Sequence, residues 1–224
     1  MFIDMHCHSV ASDDARATVD QYLKWVTVLR SKGYRVDGIV LTEHRQFNRE
    51  ADYSEISAES GVVVLRGAEL DTRHGHFLVY GVNDHLTRRF DFSDVRTDPF
   101  ELMREARASG AIAIPAHPGR SGIGLCEYIA QGVEFPEVKT VELLNGGSRA
   151  GENERAAELV QARGYWGTGG SDAHFVSAVG RCLTRFPDHI RTEAELVQAL
   201  YRGGFQPVRL EQTAQQPVEA KESR

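Results

Sequence analysis

The sequence is short of cysteine, of positive charge and of long apolar runs. Its three cysteines, Cys7, Cys126 and Cys182, lie too far apart for a disulfide framework and form no CxxC pair. They fit a reducing cytoplasm. No apolar stretch approaches the roughly 18 residues that cross a bilayer, which excludes a spanning helix. The opening MFIDMHCHSV has neither a basic region nor an apolar stretch before a small-residue cleavage site, so no secretory leader is expected. Lys and Arg number 26 against 32 Asp and Glu, a net charge of −6. That is a poor footprint for a long polyphosphate backbone, and extended nucleic acid is not an expected partner. Also absent are a GxSxG elbow, a Walker GxxxxGK[ST] loop, an HExxH pair and a Cys with Arg six positions on. No side-chain nucleophile therefore suggests itself.

What is present is alternation. Apolar runs at 2–5, 37–41, 62–65, 77–81, 111–114, 138–144 and 181–186 read as strands. Amphipathic segments separate several of them: one from about Thr18 to Lys32 ending at Gly33, one opening at Asp98-Pro99 and stopping at Gly110, one from about Glu152 to Arg163 closed by Gly164. A fourth opens with the capping box Thr192 and Glu195. Strand then helix, repeated, with strands too apolar to have a wet face, predicts an α/β chain with a mainly parallel sheet covered by helices, best closed as a (β/α) barrel. A chain of 224 residues suits one such domain, placed at 1–210, with the polar end 211–224 read as disordered.

The nine histidines decide the rest, because ligand-type residues fall just after the strand-like runs, where an α/β barrel carries its active-site loops. His6, His8 and Asp13 follow the first run, His44 follows IVLT, Glu69 follows VVVLRGA and His76 opens FLVYG; His117 follows AIAIPA, and Asp172 and His174 sit in GGSDAH. Side chains alternate along an extended segment, so His6 and His8 project to one side and can grip one ion while Cys7 faces the other way. Asp172 and His174 repeat the pattern. Trp25 and Trp166 read as core, His85 and His189 as exposed, and His74, two before His76, as a substitute ligand that the phase of FLVYG disfavours, since it puts His76 at the strand end.

The motifs HCHSVASDD (6–14), LTEH (41–44), GAEL (67–70), HGHFLVYG (74–81), PAHPG (115–119), VELLNGG (141–147) and GGSDAH (169–174) together resemble the PHP (polymerase and histidinol phosphatase) family of metal-dependent phosphoesterases. The resemblance implies a distorted (β/α)7 barrel of TIM type with three divalent metal ions, of zinc, manganese or iron. It assigns His6, His8, Glu69 and Asp172 to one ion, and Glu69, His76 and His117 to a second. Asp13, His44 and His174 go to the third, with Glu69 bridging. Two departures stand out. The usual SDG is SDD here, so Asp14 competes with Asp13, and the chain lacks the insertion that members acting on nucleic-acid ends carry after PAHPG.

Three divalent ions on an acidic protein make a positive floor that draws phosphate, and a water bridging two of them becomes a hydroxide nucleophile near neutral pH. Arg120 and Arg149, following PAHPG and NGGS, are the candidates for phosphoryl recognition, and Asn145 and Ser171 for orienting ligands. The expected activity is hydrolysis of a phosphate ester on a small metabolite or nucleotide, a phosphomonoesterase. Three other readings compete: an exonuclease on short oligonucleotide ends, an amidohydrolase-type barrel, which would want a bridging Lys where only Lys139 lies in a strand-like run, and a non-catalytic metal-binding module.

Overall fold

The structure is a computed structural model and describes residues 1–214; the tail expected to be disordered lies, from 215 on, outside the described residues. In chain order the elements are β1 (Phe2–Cys7), α1 (Val19–Ser31), β2 (Gly38–His44), α2 (Ser54–Ser60), β3 (Val63–Thr72), β4 (Gly75–Tyr80), α3 (Asp84–Arg89) and α4 (Pro99–Ala108). There follow β5 (Ile112–Pro115), α5 (Leu125–Ala130), β6 (Thr140–Asn145), α6 (Glu152–Arg163), β7 (Trp166–Gly170), β8 (Cys182–Arg185), α7 (Glu193–Arg202) and β9 (Gln206–Arg209).

The four expected helices form where their end signals lie. Thr18 caps α1 in a reciprocal box with Gln21, Asp98 accepts from the Phe100 and Glu101 N–H groups ahead of α4, and Thr192 boxes with Glu195 at α7. Gly164 ends α6 in the left-handed region, at φ 66°. One face of α1 buries Tyr22, Leu23, Val26 and Leu29 against the outside of β1 and β2.

Seven strands form one sheet in the order β5-β4-β3-β2-β1-β8-β9, and β6 and β7 pair separately in parallel. The sheet is less parallel than its sequence suggests: β1 with β2 and β2 with β3 run parallel, while β3 with β4, β4 with β5, β1 with β8 and β8 with β9 run antiparallel. The reason is local at β3 and β4, where Arg73 and His74 alone connect Thr72 to Gly75 and leave no room for a crossover helix. Curling of the sheet sets β6 beside β5 and β7 beside β1. Past its last strand residue, the β7 segment runs on along β1: the Asp172 N–H donates to the His6 carbonyl at 2.7 Å and the His8 N–H to the Ala173 carbonyl at 2.9 Å. The result is a distorted barrel whose first and seventh strands meet at the two richest ligand motifs.

Strand alternation divides the interior into two layers. Val40, Leu65, Leu78, Tyr80, Ile112 and Ile114 pack with Ile3 and Met5 as an apolar lower layer. Two or four residues further along the same face come His44, Glu69 and His76. On β1 the register shifts between Asp4 and Cys7, so its phase changes between Met5 below and His6 and His8 above, while Cys7 joins the outer cluster as expected. Beyond β9 a 3-10 turn, Leu210–Thr213, carries order past the expected boundary at 210, with Thr213 buried and its Oγ1 accepting from the Arg35 N–H at 3.0 Å.

Candidate metal centre

Glu69 stands at the centre of the upper layer, 1 % exposed, and five imidazoles surround its carboxylate. Oε2 lies 3.1 Å from His6 Nε2, 3.3 Å from His8 Nε2 and 3.2 Å from His44 Nδ1. Oε1 lies 3.1 Å from His76 Nδ1 and 3.0 Å from His117 Nε2. Asp172 closes the far side, its Oδ1 3.5 Å from His6 Nε2 and 3.4 Å from His8 Nε2. His44 and His174 bring their Nε2 atoms within 3.3 Å of each other. Three overlapping sets result: His6, His8, Glu69 and Asp172; Glu69, His76 and His117; and His8, His44 and His174.

Donor accounting shows what these groups can hold. The Nδ1 of His6 donates to Glu142 Oε1 at 2.9 Å and that of His174 to the Asp172 carbonyl at 2.9 Å, since neither acceptor carries a hydrogen. In the neutral imidazole each Nε2 then offers a bare lone pair inward. The buried His8 Nε2 has no hydrogen-bond partner at all. Lone pairs of nitrogen and carboxylate 3.0 to 3.5 Å apart repel unless a proton or a cation sits among them. Two ligands each ~2.1 Å from one ion are ~3.0 to 3.4 Å apart in octahedral or tetrahedral geometry, so the spacing and the mixed nitrogen and oxygen donors fit divalent metal ions.

Protonation of these groups carries the same tension when no metal is bound. Burial alone would lower the His6 imidazole, yet Glu142, Asp172 and Glu69 outweigh it and hold it well above the ordinary histidine value. Burial likewise opposes ionisation of Glu69, but His6, His117 and His44 hold its carboxyl well below the usual range. Asp172 is depressed in the same way, with His6 and His8 overcoming its desolvation. At His117 burial wins, and its imidazole is lowered.

Asp13 is the one expected ligand that the structure moves away. Its side chain is 76 % exposed and faces Arg45 at 3.4 Å, while Asp14 Oδ2 lies 3.2 Å from His174 Nε2 and 3.4 Å from His44 Nε2. The cause is the turn after His8, in which the Ser12 N–H donates to the Ser9 carbonyl and the Arg16 N–H to the His174 carbonyl, carrying the second aspartate over the site. Backbone strain gathers here too: Arg45, His117 and Asp172 are the non-glycine residues at positive φ, at 54°, 29° and 53°, among those described.

The orienting residues divide. Asn145 Nδ2 donates to Glu142 Oε2 at 3.0 Å and to Asp172 Oδ2 at 3.3 Å, and Arg120 donates to the same Asp172 oxygen at 2.6 Å. Ser171 touches no ligand ring; its Oγ donates to the His6 carbonyl at 3.3 Å. Arg149 is exposed and, with Arg120, Ser121, Gly147, Glu152 and Phe175, lines a cavity of about 500 Å³ that opens onto Asp172 and His174. A larger groove of about 830 Å³, over α2 and the start of β3, contains none of the expected ligands.

Three carboxylates escaped the sequence reading. Glu142, 0 % exposed, holds His6; Glu43 accepts from the hydroxyls of Ser9 and Ser12, each at 2.6 Å; Asp71 Oδ1 sits 3.3 Å from His76 Nε2. A lone acid in an apolar strand, as in VELLN, was the available signal for Glu142. His74 stays out of the site, edge-on to Phe100, Tyr128 and Phe135. Trp166 is 46 % exposed rather than core, because it begins β7 at the barrel's lower rim.

The fold is that of PHP and amidohydrolase-type barrels. Over 95 % of this chain and 92 % of the other it is similar to PsfC from Pseudomonas syringae, at a TM-score of 0.68 and 20 % identity. A two-domain Bacteroides vulgatus protein containing a predicted PHP-like metal-dependent phosphoesterase matches 94 % of this chain and 65 % of its own, at 0.60 and 21 %. An amidohydrolase from Chromobacterium violaceum, solved with bound sulfate and no metal, matches 92 % and 97 %, at 0.62 and 18 %. Residues 150–204 match the family described as PHP-associated. No curated protein matches the sequence.

Proposed function

We propose that the protein is a metal-dependent phosphomonoesterase acting on a small phosphorylated metabolite or nucleotide, with three divalent ions of zinc, manganese or iron. The observation that supports it is Glu69, whose two oxygens face five imidazoles in three overlapping ligand sets. Bound ions would supply an acidified water and neutralise charge on the phosphoryl and leaving oxygens. The chain's own residues supply placement. His6, His8, Glu69 and Asp172 would hold one ion, Glu69, His76 and His117 a second, and His44 and His174 a third, with Asp14 taking the part expected of Asp13. Arg149 would meet phosphoryl oxygens in the cavity, and Arg120 would share its guanidinium between Asp172 and substrate.

The cavity's volume suits a small organic group rather than a polymer. Cys7, fully buried in the wall, is no nucleophile. Lys139, the expected bridge of an amidohydrolase-type site, is exposed at the edge of β6 far from Glu69's end of the barrel. We place the protein in the cytoplasm on its three unpaired cysteines; no helix among the described residues is long and apolar enough to cross a membrane. The test is phosphate release from nucleoside monophosphates, sugar phosphates, bisphosphates and short oligonucleotides, with metal content measured on the same sample. Chelator-sensitive release from a monoester supports the reading; metal without release from any ester rejects it.

A further inference from the structure

Glu142 touches two of the three ligand sets at once. Its Oε1 accepts from His6 Nδ1 at 2.9 Å, and its Oε2 accepts from the His117 N–H at 2.8 Å and from Asn145 Nδ2 at 3.0 Å. His6 belongs to one set and His117 to another, and Glu69 already joins the same two residues from the inside, Oε2 to His6 and Oε1 to His117. The four residues form a closed ring, with one carboxylate facing the ions and one behind them.

We propose that Glu142 is a positioning residue that couples the occupancy of these two ion sites, an inference that rests on the metal-dependent reading above. Its first oxygen keeps the His6 proton on Nδ1 and so keeps the Nε2 lone pair turned inward. Its second holds the His117 backbone at φ 29°, a conformation that a non-glycine residue takes only when its surroundings impose it. The space around it is fitted to this job: a Cβ on Gly170 would stand 2.8 Å from Glu142 Oε1 and 2.5 Å from the His6 Cβ. All its hydrogen bonds come from donors, so it must remain an acceptor at both oxygens.

Glu142→Gln tests this, because the isosteric amide keeps one acceptor and turns an NH2 toward either His6 Nδ1–H or the two N–H donors of His117 and Asn145. The ring must open on one side. The probe is Zn²⁺ on the whole protein, followed by metal content after dialysis against graded chelator and by competition titration. The expected result is that two ions weaken together by ~10–100-fold while the ion of His44 and His174 stays at its wild-type affinity. Glu142→Asp, which keeps both oxygens on a shorter arm, recovers part of the loss and gives the answer if the Gln variant does not fold. Loss of a single ion, equal weakening of all three or unchanged binding overturns the coupling. A wild-type protein that binds no Zn²⁺ overturns the metal-dependent reading, and the coupling with it.

Discussion

The lower and upper layers of the barrel interior hang on the same strands and face the same way, yet they share no chemistry. Leu65 and Glu69 are two alternations apart on β3, Leu78 and His76 one apart on β4, Val40 and His44 two apart on β2. Below, the strands interlock apolar side chains; above, they gather donors that repel one another without a cation. An α/β barrel separates stability from function along its axis in this way, and here the boundary falls within single strands. Substitutions on either side of it should therefore have opposite signatures.

The largest effect should come from the upper layer. His8→Ala is expected to reduce phosphate release to below about 1 % of wild type, since losing a ligand costs more than the ~10–100-fold lost with a ligand's outer partner. Its urea midpoint without metal should fall less than that of Leu78→Ala, because the imidazole buries a nitrogen with no hydrogen-bond partner and loses only its charge pairing with Glu69 and Asp172. Full activity would remove His8 from the site. One alternation below the ligands, Leu78→Ala should do the reverse, costing ~2–5 kcal/mol in chemical denaturation while the folded fraction still binds metal. If Leu78→Ala empties the site and leaves stability intact, the two layers are not separable.

Acidity offers a finer cut, because the imidazoles and carboxylates lie in the upper layer, while burial pushes the lower layer's Tyr80 hydroxyl further up. In the metal-free protein, Glu69 and Asp172 are depressed, so their contribution is complete above the ordinary carboxylate range and is lost as pH falls through their lowered values. His6, His8 and His76 are raised, each against burial, by neighbouring carboxylates; their contribution is complete below about 6.5 and is lost as pH climbs through the raised values. The Met1 amine, lowered by burial, works the other way but is a single half-buried group. Metal-free protein should consequently melt at a lower temperature at pH 9 than at pH 7, and Zn²⁺ should shrink the difference by replacing the protons. A melting temperature that rises toward pH 9 would contradict it.

The lower layer and the positions of the side chains clustered above it were legible because both follow from local rules. Thr18, Asp98 and Thr192 announce helices by satisfying backbone N–H groups within a few residues, and His44, Glu69 and His76 follow apolar runs that had to be strands. What depends on contact between distant segments was not legible. The strand WGTGG has glycines where β-formers belong, and the reason, the approach of Gly170 to His6, exists only once the barrel closes. Asp13 and Asp14 are neighbours of identical chemistry, separated only by a turn and by Arg45. Glu142 looks like any acid beside Val and Leu until His6 is opposite it.

The smallest expected effect belongs to the rim, where the comparison between layers runs out. Arg149 is exposed, its backbone N–H donates to Glu152 Oε2 at 2.7 Å, and it bonds no candidate ligand. Arg120, in the same cavity, donates to Asp172 at 2.6 Å. If Arg149 only attracts ground-state phosphate, Arg149→Ala should raise KM by less than ~10-fold with kcat unchanged, because the interaction is equal in ground and transition states. Arg120→Ala should lower kcat as well, since it frees the Asp172 carboxylate that it orients. Steady-state kinetics on one monoester separates the two, and identical profiles for both variants would mean that Arg120 reaches the reaction through substrate alone and not through Asp172.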